Sequence, residues 1–121
     1  PFGADSAGYA KAVEHEYQIV DSCLAGKATP ERIERFYRYT VSDADYREYR
    51  WTWCGRYCVP LGLATAIKLS DLSKGSSLEG KLVSYSTSID HQPLLEEDLG
   101  MGRTAPASIR HWVGYASLVY K

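Results

Sequence analysis

Ser108-Ile-Arg-His-Trp-Val-Gly-Tyr-Ala-Ser-Leu-Val-Tyr-Lys121, the C-terminal stretch, carries the most weight for the fold class. Ser108 can cap a helix. Ile109, Trp112, Val113, Ala116 and Tyr120 then recur at helical spacing. The stretch reads as a last helix over 108–121, with Trp112 as its central anchor. That reading isolates another segment. Val83, Tyr85, Thr87 and Ile89 alternate with Ser84, Ser86 and Ser88, which is the one clear period-two pattern in the chain. One strand cannot make a sheet alone. It must pair with another chain or lie as an extended arm.

Between these two stretches, residues 90–107 hold Pro93, Gly100, Gly102 and Pro106 and show no periodic face. So long a structureless stretch is uncommon inside a compact domain and often serves interaction. Leu94, Leu95, Leu99 and Met101 are its apolar set and the expected partner-binding residues. Glu96, Glu97 and Asp98 read as solvated acids. Residues 73–80 are small and polar, a linker or turn.

Upstream lies Tyr57-Cys-Val-Pro-Leu-Gly-Leu-Ala-Thr-Ala-Ile67, an uncharged apolar run between Arg56 and Lys68. Pro60 forces any helix here to kink or restart. Helix is expected over 43–58 and again over 60–72. The run is short for a membrane span, which needs ~20 mostly apolar residues. Widened to 51–69 it reaches that length, with Arg56 and Lys68 near its ends. The membrane-facing set would then be Trp51, Trp53, Tyr57, Leu61, Leu63 and Ile67. A buried core helix is the preferred reading.

Two further helices are expected in the N-terminal third. Asp5 or Ser6 caps one over 6–25, with Ala10, Val13, Tyr17, Val20 and Leu24 as its apolar stripe and Gly26 as its stop. Thr29-Pro30-Glu31 opens another near 30–41, with Ile33, Phe36, Tyr37, Thr40 and Val41 inward. The fold class expected is therefore mainly α: four to five helices, one strand-like segment and a long irregular arm. The 121 residues form one domain, with a helical part at 6–72, an extended segment and arm at 73–107, and a C-terminal helix at 108–121.

Composition removes several classes. With 45% hydrophobic and 24% charged residues the chain is not disordered, collagenous or low-complexity. Fourteen basic against fifteen acidic residues leave a net charge of −1, so no global field draws nucleic acid or an anionic membrane. Tyr dominates the aromatic set, ten against three Trp and two Phe. Tyr suits core walls and half-wet interfaces. No secretory signal opens the chain, and Pro1-Phe2-Gly3 reads as the start left by loss of an initiator Met.

The chemistry-bearing residues form weak constellations. Cys54 and Cys58 stand at i, i+4, and only His91, His111 or Cys23 could complete a metal set. Lacking a second tight pair, and lacking C-x-x-C spacing, they read as small buried apolar residues with reduced thiols. Arg32, Arg35, Arg38, Arg47, Arg50 and Arg56 interleave with aromatics up to Tyr57, a mixture that can stack on bases. Five acids lie among these six arginines, and Glu31–Arg35 and Glu34–Arg38 suit an ion-paired helix face. His15, between Glu14 and Glu16, reads as a surface residue. No P-loop, dinucleotide fingerprint, nucleophile elbow or H-E-x-x-H occurs.

The leading expectation is a non-catalytic accessory subunit of a larger assembly, with organellar respiratory or ATP-synthase complexes as the concrete case. Its partners would be other protein subunits, with lipid next. It would sit inside the cell, in a mitochondrial or other organellar membrane complex, and use no cofactor, metal or small-molecule substrate. The second reading is a soluble small-ligand or regulatory binding domain. The third is RNA binding through 32–57.

Overall fold

A computed structural model describes residues 2–73, 75, 77–90 and 108–121. Helix α1 (Ser6–Ile19) begins where the Asp5 carboxylate accepts from the Gly8 amide at 2.7 Å. It runs into a π-helical turn, Val20–Leu24, closed by the Ala25 amide donating to the Val20 carbonyl. The carbonyls left open there are taken by Arg32, which donates to those of Asp21, Cys23 and Ala25. Strand β1 (Gly26–Lys27) follows, and helix α2 (Pro30–Thr40) starts on Thr29, whose hydroxyl accepts from the Arg32 amide.

Both expected N-terminal helices are present, but the buried face of α1 differs from the expected stripe. Gly8, Ala12, Glu16 and Ile19 are buried, whereas Ala10 and Tyr17 are exposed. The expected stripe followed apolarity, and tertiary packing buries a neighbouring face that contains a carboxylate.

The helix expected over 43–58 is absent. Val41 bridges Tyr49, the Ser42 amide donates to the Glu48 carbonyl, and the Arg50 amide donates to the Thr40 carbonyl. The chain turns back on itself between these contacts. Asp45 accepts from the Arg47 amide and guanidinium, and Asp43 pairs with Arg50. Asp side chains that bond nearby backbone stabilise turns against helix. The helix restarts at α3 (Cys58–Ser73), with Pro60 inside the first turn, where no intrahelical amide bond is lost. Among the described residues no helix is long and apolar enough to cross a membrane.

The C-terminal helix is also absent. Gly114–Tyr120 is strand β3, antiparallel to β2 (Glu79–Thr87), with Gly80 opposite Tyr120 and Thr87 opposite Gly114. The register shifts once, between Leu82 and Ser84. Ala116, Leu118 and Tyr120 turn inward while Tyr115, Ser117 and Val119 face solvent, so the period is two. Aromatic and branched residues suit either reading, and the partner strand decides between them. The sheet order is β1-β2-β3, all antiparallel. Among the described residues, three α-helices and a three-stranded antiparallel sheet therefore replace the expected mainly α fold. The isolated strand finds its partner inside the chain. Trp112 is no helix anchor: it precedes β3, half-buried, with its ring 5.1 Å from that of Tyr9.

The core gathers where the π turn, α2, α3 and the inner sheet face meet. Ile19, Val20, Cys23, Leu24, Phe36 and Leu63 form its buried cluster. Phe36 is fully buried and meets the Trp53 ring edge-on, 5.2 Å between centroids. The sheet joins this core where the Tyr120 hydroxyl donates to the Leu24 carbonyl at 2.9 Å. Gly80 permits that approach, since a Cβ there would fall 2.5 Å from both the Leu24 carbonyl oxygen and the Tyr120 ring. Replacing Phe36 by Ala is expected to lower unfolding free energy by about 3–5 kcal/mol. A Phe36→Ala urea midpoint equal to wild type would place the core elsewhere.

A candidate ligand cavity floored by Glu16

Glu16 is 7% exposed, a carboxylate on the buried face of α1. Two donors from distant segments reach it. The Trp51 indole N–H donates to Oε1 at 3.0 Å, and the Tyr85 hydroxyl of β2 donates to Oε2 at 3.3 Å. From β3, Gly114 approaches it closely. A Cβ there would lie 2.7 Å from Glu16 Oε2 and 2.6 Å from the Tyr85 hydroxyl. The glycine therefore lets β3 pass beside the carboxylate.

Burial pushes the Glu16 carboxyl above the ordinary glutamate value of 4.5. Bonds from Trp51 and Tyr85, and the charge of His15, oppose that shift and do not cancel it. Tyr85 is raised in turn, first by burial and then by the adjacent Glu16 carboxylate. His15 is not the surface residue expected. It is half-buried, with ring centroids of Trp51, Phe2 and Tyr39 within 4.6, 5.7 and 5.9 Å.

Glu16 lies on the wall of a cavity of about 1060 Å³ that is partly open to solvent. Tyr9 and Ala12 of α1 form one side of it, and Trp51, Trp53 and Cys54 another. Val59, Gly62, Leu63 and Ala66 of α3 close it opposite Trp112, Ala116 and Leu118. Apolar atoms dominate the wall, with Glu16 as its buried carboxylate. At the rim, Arg50 and Arg110 are exposed, and Arg50 is tied to Asp43. Behind the cavity, the Thr87 hydroxyl donates to Asp90 at 2.7 Å, so the Tyr9 hydroxyl, 2.8 Å away, donates to Thr87. The Trp53 N–H is buried without an acceptor among the described residues.

The expected site residues separate. Leu94, Leu95, Leu99 and Met101 lie outside the described residues. Trp51, Trp53 and Leu63 turn into the core and cavity, while Ile67 lies in a groove against α2. Tyr57 and Leu61 are exposed. Cys54 and Cys58 are not buried: both are exposed and both border the cavity, and neither is in a disulfide.

All six arginines of the 32–56 segment have partners inside the chain. Arg32 and Arg35 bond carbonyls of the π turn, and Arg38, Arg47 and Arg50 pair with Glu34, Asp45 and Asp43. The buried Arg56 guanidinium lies 3.5 Å from the Tyr49 ring centroid and 4.9 Å from that of Tyr57.

The residues that make the site, Glu16, Tyr85 and Gly114, were not among the sequence candidates. Glu16 had one available signal: it falls four residues after Ala12 and three before Ile19, on a face that is otherwise small or apolar. The fold and site together define an α+β domain with an apolar cavity and a buried carboxylate. No family model, curated protein or solved structure matches the chain.

Because the folded-state pKa of Glu16 is raised, folding favours its protonated form. That preference is fully present below about pH 4.5 and is lost as pH rises through the raised value. Relative to Glu16→Gln, the wild-type protein should therefore lose stability between pH 4 and pH 8. Urea midpoints at both pH values check this. A wild-type-minus-variant difference that grows more favourable with pH would reverse the assignment.

Proposed function

We propose that this chain is a small-molecule-binding domain whose ligand occupies the cavity beside Glu16. One observation carries the reading: an apolar cavity of about 1060 Å³ whose wall includes a buried, hydrogen-bonded carboxylate. Ligand sites are commonly apolar hollows of ~300–1,000 Å³ with a few placed polar groups. The walls come from α1, α3, β3 and the 50–55 loop, so the sequence-distant parts of the fold meet there.

Gly62 offers a direct test. A Cβ at this position on the cavity wall meets nothing within 4 Å. Gly62→Ala should leave the cavity open and stabilise α3 by about 0.5–1 kcal/mol. Gly62→Trp should place an indole in the cavity without disturbing the fold. With N-phenyl-1-naphthylamine as a neutral apolar probe, wild type and Gly62→Ala should bind at one site per chain, and Gly62→Trp should not. Equal probe fluorescence from all three proteins counts against the reading.

A second reading, an accessory subunit of a larger assembly, is favoured by α3. Leu61, Leu69 and Leu72 follow one another around a single outward stripe and are each 60% or more exposed. Exposed apolar stripes of this kind mark protein contacts. In that reading Leu61→Glu combined with Leu72→Glu would leave the melting temperature unchanged and release the chain from its native complex, as a lower particle mass in light scattering.

A further inference from the structure

The polar end of the cavity constrains its ligand. An ionised carboxylate offers about four lone-pair positions. Trp51 and Tyr85 occupy one on each oxygen of Glu16, leaving further acceptor capacity on both. No Lys or Arg forms an ion pair with Glu16 among the described residues. A buried carboxylate without a cation is costly, and a cation brought in by a ligand offsets that cost. Aromatic faces add to it. Trp51, Trp53, Tyr9 and Trp112 all line the same space, and ring faces attract ammonium groups. An anionic ligand would instead meet the Glu16 charge.

We propose that the cavity takes a lipophilic amine, its apolar body among the Trp and Tyr rings and its protonated nitrogen bonded to Glu16. The proposal rests on reading the cavity as a ligand site. Among the described residues, four groups are placed against Glu16. His15 stands beside it on α1, Tyr85 comes from β2, Trp51 comes from the loop, and β3 presents Gly114. The ammonium donates to the carboxylate oxygens as Trp51 and Tyr85 do, so neither existing bond has to break. As pH falls, Glu16 takes up a proton and the ion pair is lost, so amine binding weakens toward acid.

The test uses two isosteres that differ only in charge, 1-naphthylmethylamine and 1-naphthylmethanol, titrated calorimetrically. At pH 7.5 wild type should bind the amine at least tenfold more tightly than the alcohol. Glu16→Gln should lose that preference by weakening the amine about tenfold, with the alcohol changed less than twofold. His15 remains in this variant, so the comparison isolates the Glu16 charge. The wild-type amine-to-alcohol ratio needs no variant, which keeps the test independent of how Glu16→Gln folds. Equal affinities for the two probes in wild type, or an unchanged amine affinity in folded Glu16→Gln, would overturn the amine and leave the cavity reading standing. Failure of both probes to bind would overturn the cavity reading, and the amine with it.

Discussion

One buried carboxylate joins three segments of this fold that lie far apart in sequence. Glu16 accepts from Trp51, 35 residues away, and from Tyr85, 69 residues away. These two bonds hold the 50–55 loop and strand β2 against helix α1. A carboxylate cut off from water needs such partners, and its removal would leave the Trp51 N–H and the Tyr85 hydroxyl in search of others. The polar link therefore orders these segments, while burial of the carboxylate carries a desolvation cost that the two bonds only partly offset. It fixes which face of α1 turns inward, and it sets the place where β3 must pass with a glycine.

Around this link the apolar residues divide by purpose. The fully buried cluster is small and lies at the π turn, α2 and Leu63. Helix α3 then shows three faces. Val59, Gly62, Leu63 and Ala66 turn to the cavity. Pro60, Ala64 and Ile67 line a groove of about 460 Å³ against Ile33 and Tyr37 of α2. Leu61, Leu69 and Leu72 turn to solvent. A helix apolar all round is one buried or contacted on several sides. Here one side faces a hollow, one faces a neighbouring helix and one is open, which is why α3 supports both a ligand reading and a docking reading.

The arginine and aromatic interleaving shows how composition can mislead. Six arginines with many rings resemble a surface for nucleic acid. In the fold they act inward or on neighbouring acids. Arg32 satisfies the carbonyls of the π turn, and Arg56 lies buried between two tyrosine rings. A guanidinium has five donors and a flat face, so it can close a helix end or stack within a loop as readily as it grips a phosphate.

Local chemistry made α1 and α2 legible, because Asp5, Thr29 and Pro30 act within three residues of the helix starts they set. The restart of helix near Pro60 was legible for the same reason, since a missing amide hydrogen costs nothing in a first turn. The alternation at 83–89 pointed to the extended segment, but β2 ends at Thr87, Val83 is exposed, and a register shift between Leu82 and Ser84 breaks the expected period. Other features depended on a partner. Residues 114–120 carry spacings compatible with helix and with strand, and only β2, lying alongside, fixes the period at two. The 43–58 segment has helical spacing too, yet Asp43 and Asp45 bond arginines across a turn, and Trp51 and Trp53 just beyond it pack against the core. Glu16 was legible as a residue and not as a site. Its acceptors are meaningful only where Trp51, Tyr85 and Gly114 converge, and that convergence spans nearly the whole chain. Local bonding was thus written in short stretches of sequence, while the sheet, the cavity and its carboxylate were decided by contacts between segments that no short stretch contains.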